Sequence, residues 1–255
     1  MILVVSPAKN LNFAPVPQAL LTAPMFPKEA ASLARLARKL KAADLSRLMG
    51  ISAKLAELNA RRFKTFKLEA PDGIQAAFAF NGDVYRGLDA RSLDPEALAF
   101  AQDHLRILSG LYGVLRPLDR IQPYRLEMGV GLENAKGRNL YDFWGTKIAR
   151  ALCAAAVDHA DPTIVNLASN EYFAAVKVKA LKPPVLTCRF LEEEEGGKTR
   201  MISFFAKRAR GLMARYVIDG RLEKPEDLKG FDKEGYAFRP DLSKKGDWVF
   251  TRPAK

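Results

Sequence analysis

Ser6, Lys9, Tyr85, Arg86, Ser109, Tyr112, Arg116, Tyr124, Asp142 and Glu171 are the side chains of this sequence best suited to chemistry, by type and by setting. Most of them follow short apolar runs, at residues 2–5, 76–80, 105–108 and 163–168, that read as strands. Open α/β sheets hold ligands in the loops beyond such strand ends. There Lys9, Arg86 and Arg116 would clamp a phosphate, Tyr112 or Tyr124 would act as an acid, and Asp142 or Glu171 as a base. That chemistry belongs to an enzyme acting on a nucleotide or a nucleic-acid end. The competing role of each residue is a structural hydrogen bond; Asp142, for example, falls in the first turn of an expected helix, where a carboxylate offsets the dipole. Ser6-Pro7-Ala8-Lys9 also has the spacing of the serine-acylating Ser-x-x-Lys motif. Those enzymes set the motif at the start of a helix, and Pro7 behind a strand argues against serine nucleophilic catalysis here.

A second kind of chemistry, the holding of a backbone phosphate, is offered by Arg47, Gly50, Ile51, Ser52, Lys54, Arg61 and Arg62. Leu45 and Leu48 close a short helix, Gly50 permits the positive φ that ends it, and Ser52 caps a second helix with Leu55 and Leu58 on its inner face. This is a helix-hairpin-helix pattern. The amides after Gly50 and at the start of the second helix are expected to point outward, where the helix dipole favours an anion. Ordinary helix pairs turn corners with the same pattern, and Ser52 stands where the motif usually carries a second glycine. The surroundings weigh toward nucleic acid: residues 1–70 hold twelve Lys or Arg against four acids, two thirds of the chain's net charge of +12. An amphipathic helix at 28–41, with Leu33, Leu36 and Leu40 on one face and Arg35, Arg38, Lys39 and Lys41 on the rest, would extend the phosphate track. Phe63 and Phe66 are expected to pack rather than stack on bases. Nothing in the region reads base edges, so binding is expected to follow the DNA backbone with little sequence preference.

The elements that must position these residues read as one compact α/β domain, 1–255, with a mixed, partly parallel sheet flanked by helices. A basic helical subregion spans 28–70, after an irregular stretch rich in proline that includes Pro15, Pro17, Pro24 and Pro27. Further helices are expected at 93–103, capped by Ser92 or Asp94 with Pro95 in its first turn, at 141–159 as one long alanine-rich helix, and behind Ser169 or Asn170. The segment 185–255 reads as a hairpin of 185–195 with 198–204 around Gly196-Gly197, a basic helix at 205–218, and closing strands at 236–238 and 248–250. The acidic run 192–195 is expected on a solvated edge facing Lys198 and Arg200. The longest apolar run, 151–157, is far shorter than the roughly 20 residues a membrane-spanning helix needs. With no secretory pattern at the N-terminus, a cytoplasmic setting is expected. Cys153, Cys188, His104 and His159 have no metal-ligand spacing, so no stable metal site is expected and both thiols read as core packing.

Several blocks together carry a resemblance. They are Ser6-Pro7-Ala8-Lys9-Asn10-Leu11-Asn12-Phe13, Phe80-Asn81-Gly82-Asp83-Val84-Tyr85, the run from Leu108-Ser109-Gly110-Leu111-Tyr112-Gly113 to Arg116-Pro117-Leu118-Asp119, Pro123-Tyr124-Arg125-Leu126-Glu127-Met128-Gly129, Leu140-Tyr141-Asp142-Phe143-Trp144-Gly145 and Asn166-Leu167-Ala168-Ser169-Asn170-Glu171-Tyr172-Phe173. In this order they resemble the bacterial YaaA family of peroxide-stress proteins, and Arg210-Gly211-Leu212-Met213-Ala214-Arg215-Tyr216 extends the likeness. Asn10 and Asn12 depart from the threonine and aspartate expected there. The resemblance implies a cytosolic protein that protects DNA and limits harm from free iron during hydrogen peroxide exposure. It also implies an α/β fold with a helix-hairpin-helix and a positively charged cleft that binds DNA, and it brings neither a cofactor nor an established reaction.

Overall fold

The computed structural model describes residues 1–16, 20–68 and 73–254. Pro17 of the proline-rich stretch, and residues 69 and 70 at the end of the basic subregion, lie outside them.

The first strand, β1 (Ile2–Val5), is wholly buried, as a continuous apolar run in the middle of a parallel sheet must be. A two-residue strand, β2 (Asn10–Leu11), follows, and then three helices: α1 (Pro27–Arg38), α2 (Ala42–Met49) and α3 (Ala53–Thr65). Gly50 separates the last two in the left-handed conformation, φ 60°, and Ser52 accepts the Leu55 amide as the cap of α3. Next come β3 (Ile74–Gln75), α4 (Ala76–Ala79), β4 (Phe80–Asn81), α5 (Asp83–Leu88) and α6 (Pro95–His104). Asp94 caps α6 with Pro95 in its first turn, as expected. The middle of the chain supplies β5 (Leu105–Ser109), β6 (Gly113–Leu115), β7 (Arg120–Ile121), α7 (Leu140–Trp144), α8 (Lys147–Ala156), β8 (Ile164–Leu167) and α9 (Asn170–Phe173). The last third gives β9 (Val185–Glu193), β10 (Thr199–Arg200), α10 (Ser203–Gly220), β11 (Ala237–Phe238) and β12 (Asp247–Pro253).

The main sheet has eight strands in the order β11-β12-β9-β8-β1-β5-β6, with β10 beside β9. Its five central strands, β12, β9, β8, β1 and β5, are mutually parallel, while β6, β10 and β11 pair antiparallel. The fold is therefore α/β with a mixed, partly parallel sheet flanked by helices. One hydrophobic core runs from Met1 to Phe250. Among the described residues no helix is long and apolar enough to cross a membrane.

Four expectations are corrected. Of residues 76–80, Ala76–Ala79 form α4 rather than a strand and Phe80 begins β4; burial on every side removes the periodicity that tells the two apart, and alanine favours the helix. The expected helix 141–159 is two, because Gly145 takes φ 51° between α7 and α8. The second arm of the 185–204 hairpin shrinks to β10, since α10 already begins at Ser203. The acidic run is not a solvated edge: β9 is an interior strand, so Glu192 is buried against Arg252, and of the run Glu194 alone meets Arg200, at 2.7 Å.

Candidate functional site

β1 lies between β5 and β8, and the chain leaves it for β5 on one side and returns to β8 on the other. Such a reversal opens a crevice beyond the carboxyl ends of the two strands, which no connection covers. Ser6 follows β1 and Ser169 follows β8. The two loops are tied together: the Ser169 amide donates to Ser6 Oγ at 2.9 Å, and Ser6 Oγ donates to Ser169 Oγ at 3.3 Å. Tyr85 Oη donates to the Ser6 carbonyl at 3.0 Å, bringing α5 to the same place. The resulting cleft has a volume of about 390 Å³ and is lined by Ser6, Lys9, Asn10, Asn81, Asp83, Tyr85, Ser169, Glu171 and Tyr172, with Lys207 and Arg210 from α10.

α10 reaches this cleft because it crosses α5 glycine to glycine. A Cβ on Gly211 would stand 1.8 Å from the Val84 carbonyl oxygen, and one on Gly87 would stand 2.3 Å from that of Arg208. The charges are unevenly matched. Asp83 is held by Arg86 at 3.4 Å, Glu127 by Arg125 at 2.9 Å, and Lys9 approaches Glu127 at 3.6 Å. Glu171 Oε1 accepts the Gly129 amide at 3.0 Å. Lys207 and Arg210 have no hydrogen bond or ion pair among the described residues, and Arg210 Nε is buried without an acceptor. Burial lowers the Arg210 pKa from its usual range. The Tyr85 phenol is pushed well up by burial and by neighbouring Tyr124 and Tyr172, and Tyr172 is raised by burial first. Both phenols are thus hydrogen-bond donors at neutral pH, not bases.

Of the ten residues expected to form a pocket, Ser6, Lys9, Tyr85 and Glu171 line this cleft. Arg86 lines a shallower depression of about 230 Å³ beside it, with Asn12 and Arg91. Ser109, Tyr112 and Tyr124 stand in the core: Ser109 Oγ and Tyr124 Oη are 2.6 Å apart, Ser109 Oγ accepts the Tyr112 amide at 2.9 Å, and Tyr112 Oη accepts the Gln122 amide at 3.1 Å. Arg116 is held by the fully buried Asp119 at 3.0 Å and by the Ala23 carbonyl at 3.2 Å. Asp142 accepts the Arg138 amide at 3.1 Å, while Asn139, not Asp142, caps α7. All five carry structural contacts, and none of them lines the cleft. The sequence reading left out Asn81, Tyr172, Lys207 and Arg210. The spacing of Lys207 and Arg210 puts them on one helical face, but nothing in it names the strands that face meets.

The hairpin residues lie on α2 and α3. Gly50 and Ile51 both donate their amides to the Ser46 carbonyl, the Ile51 bond being 3.2 Å, and Ile51 is buried. The expectation that amides just after Gly50 point outward is corrected for Ile51, whose amide the helix end consumes. The donors without a hydrogen-bond partner among the described residues are those of Ser52, Ala53 and Lys54, at the cap and in the first turn of α3. Lys54 and Arg61 are exposed, whereas Arg47 is paired with Asp44 at 2.6 Å and Arg62 is half-buried, with Nη1 donating to Asn59 Oδ1 at 3.5 Å. Burial lowers the Arg62 pKa.

Comparison with known proteins places the chain in a family. Residues 1–242 match the family described as peroxide stress protein YaaA. A UPF0246 protein of Caulobacter vibrioides (strain NA1000 / CB15N) is 61% identical over 254 residues, covering 99% of each chain. One from Phenylobacterium zucineum (strain HLK1) is 61% identical, covering 99% of this chain and 95% of its own length. One from Hahella chejuensis (strain KCTC 2396) is 50% identical over 255 residues, covering 99% of each. Full-length identity at this level leaves no large segment of either chain unaccounted for, and the chain belongs to the YaaA family of peroxide stress proteins.

Proposed function

We propose that the protein binds the DNA sugar-phosphate backbone in the cytoplasm during hydrogen peroxide stress and shields it from iron-dependent oxidative damage. The observation that carries this reading is the start of α3: the amides of Ser52, Ala53 and Lys54, without hydrogen-bond partners among the described residues, beside the exposed cations Lys54, Arg61 and Lys64, which form no ion pair among them. Lys54, Arg61 and Lys64 fall seven and three residues apart, on one face of the helix. The turn at Gly50 sets the direction of that face, so α2 and α3 work as a helix-hairpin-helix whose phosphate contacts come from its second helix. The family's peroxide-stress description supplies the setting.

Backbone binding of this kind is governed by counterion release, with log K falling by about 0.9 per phosphate for each unit of log salt. Fluorescence anisotropy with duplexes of unrelated sequence is expected to give equal affinities and a steep salt slope. Lys54→Glu with Arg61→Glu is expected to weaken binding at least tenfold and flatten the slope. A salt-independent affinity, or one indifferent to the double variant, would remove the reading.

A second reading is favoured by the position of the cleft at the strand-order reversal. There the protein would act as an enzyme on a nucleotide or a nucleic-acid end.

A further inference from the structure

We infer that the crevice between β1 and β8 is a site for a phosphate monoester, with Arg210 and Lys207 taking the terminal phosphate of a nucleotide, and Asn81 and Tyr172 its sugar or ring. This rests on the reading of the cleft as a nucleotide or nucleic-acid-end site, and it narrows that reading to one chemical group.

A guanidinium withdrawn from water needs a counter-charge or a full set of acceptors. Arg252 meets that need 3.0 Å from Glu192 and Arg116 3.0 Å from Asp119, while Arg106, whose Nε is also buried without an acceptor, turns Nη1 to the Gln102 and Leu105 carbonyls. Arg210 has no such partner, and its buried Nε meets no acceptor. Its helix is seated closely on α5, where Gly211 and Gly87 let the two backbones approach nearer than any side chain would allow. Lys207, three residues earlier, lies on the same face and lines the same cleft.

Charge then selects the ligand. Asp83 is paired with Arg86 and Glu127 with both Arg125 and Lys9, whereas Glu171 accepts only the neutral Gly129 amide and keeps its charge. Lys207 and Arg210 are two cations without an ion pair among the described residues, and these five cations outnumber the three carboxylates by two. A phosphate monoester carries roughly −1.5 to −2 at neutral pH, as a phosphorylated side chain does, and answers both. An internal diester of a DNA strand carries a single charge and answers only one. Arginine presents a planar fork of donors to phosphate oxygens, and lysine adds a point charge. The volume of about 390 Å³ lies within the roughly 300–1,000 Å³ of small-ligand sites. Tyr172 offers a ring edge and a protonated hydroxyl, and Asn81 an amide that both donates and accepts.

The test uses the full chain in isothermal titration calorimetry with the four deoxynucleoside 5′-monophosphates, inorganic phosphate and the four unphosphorylated deoxynucleosides. At least one monophosphate is expected to bind, and its deoxynucleoside is expected not to. Lys207→Gln, at an exposed position, is expected to weaken that monophosphate at least tenfold, and Arg210→Gln more, with Arg210→Lys recovering part of the loss; circular dichroism melts confirm that the variants fold. A 5′-hydroxyl blunt duplex is expected to bind these variants as it binds the unsubstituted protein, which separates this site from the α3 backbone contact. Competition then identifies the source. Displacement of the monophosphate by a 5′- or 3′-phosphorylated duplex assigns the site to nucleic-acid ends, and its absence assigns it to free nucleotides. Equal binding of monophosphates and deoxynucleosides, no binding of either, or a folded Lys207→Gln protein with unchanged affinity would overturn the inference.

Discussion

The buried ion pair of Arg252 and Glu192 shows what this fold demands of a charge it encloses. Arg252 Nε lies 3.0 Å from both carboxylate oxygens, its Nη1 reaches Glu234 at 3.2 Å, and Tyr236 Oη donates to Glu192 at 2.7 Å. Arg252→Met leaves the carboxylate buried and uncompensated, and urea unfolding is expected to show a loss of about 3–5 kcal/mol. Removing both charges with Glu192→Leu is expected to return most of it. A separate residue-scale effect concerns pH. His159 is lowered from 6.5 to about 4, by burial first and then by the Met1 ammonium, His104 and Arg106. His104 is lowered too, again chiefly by burial. Protons then bind the unfolded chain more readily than the native one, so stability is full above about pH 6.5 and falls as the pH drops toward 4. The urea midpoint is expected to decline across that window, and less steeply in His159→Asn.

Two glycines illustrate how elements depend on single positions for opposite reasons. At Gly50, φ is 60° and a Cβ would find nothing within 4 Å, so Gly50→Ala strains only the backbone and is expected to cost roughly 1–2 kcal/mol. At Gly211 the backbone is ordinary helix but the Cβ would lie 1.8 Å from the Val84 carbonyl oxygen. Gly211→Ala must push α10 off α5, and thermal unfolding is expected to show the larger loss of the two. The first requirement was legible in the sequence, because a glycine between a leucine-lined helix end and a serine cap announces its own conformation. The second was not, because nothing local distinguishes a glycine that admits a neighbour from one that does not. The same divide separates α6, announced by Asp94 and Pro95, from α4, whose uniformly apolar Ala76-Ala77-Phe78-Ala79 suits either element.

Across the whole molecule, the sheet was legible as strands but not as an order. Residues 2–5, 105–108 and 163–168 read correctly as buried strands, and Ser6, Lys9 and Glu171 were placed at their ends. The reversal at β1 that turns those ends into one cleft is a property of pairing, which periodicity does not encode. Arg116, Tyr112 and Tyr124 looked equally eligible, yet the two phenols are spent inside the molecule and the Arg116 guanidinium is held by Asp119. The central place of β1 has a further consequence. Leu3–Val5 pair with Leu105–Ile107 on one side and Ile2–Val5 with Ile164–Leu167 on the other, so a growing polypeptide must carry this strand with at least one edge unpaired until β8 has left the ribosome. The earliest-made strand thus has the longest wait between synthesis and enclosure, and chains stalled before residue 164 are the ones a chaperone would have to guard.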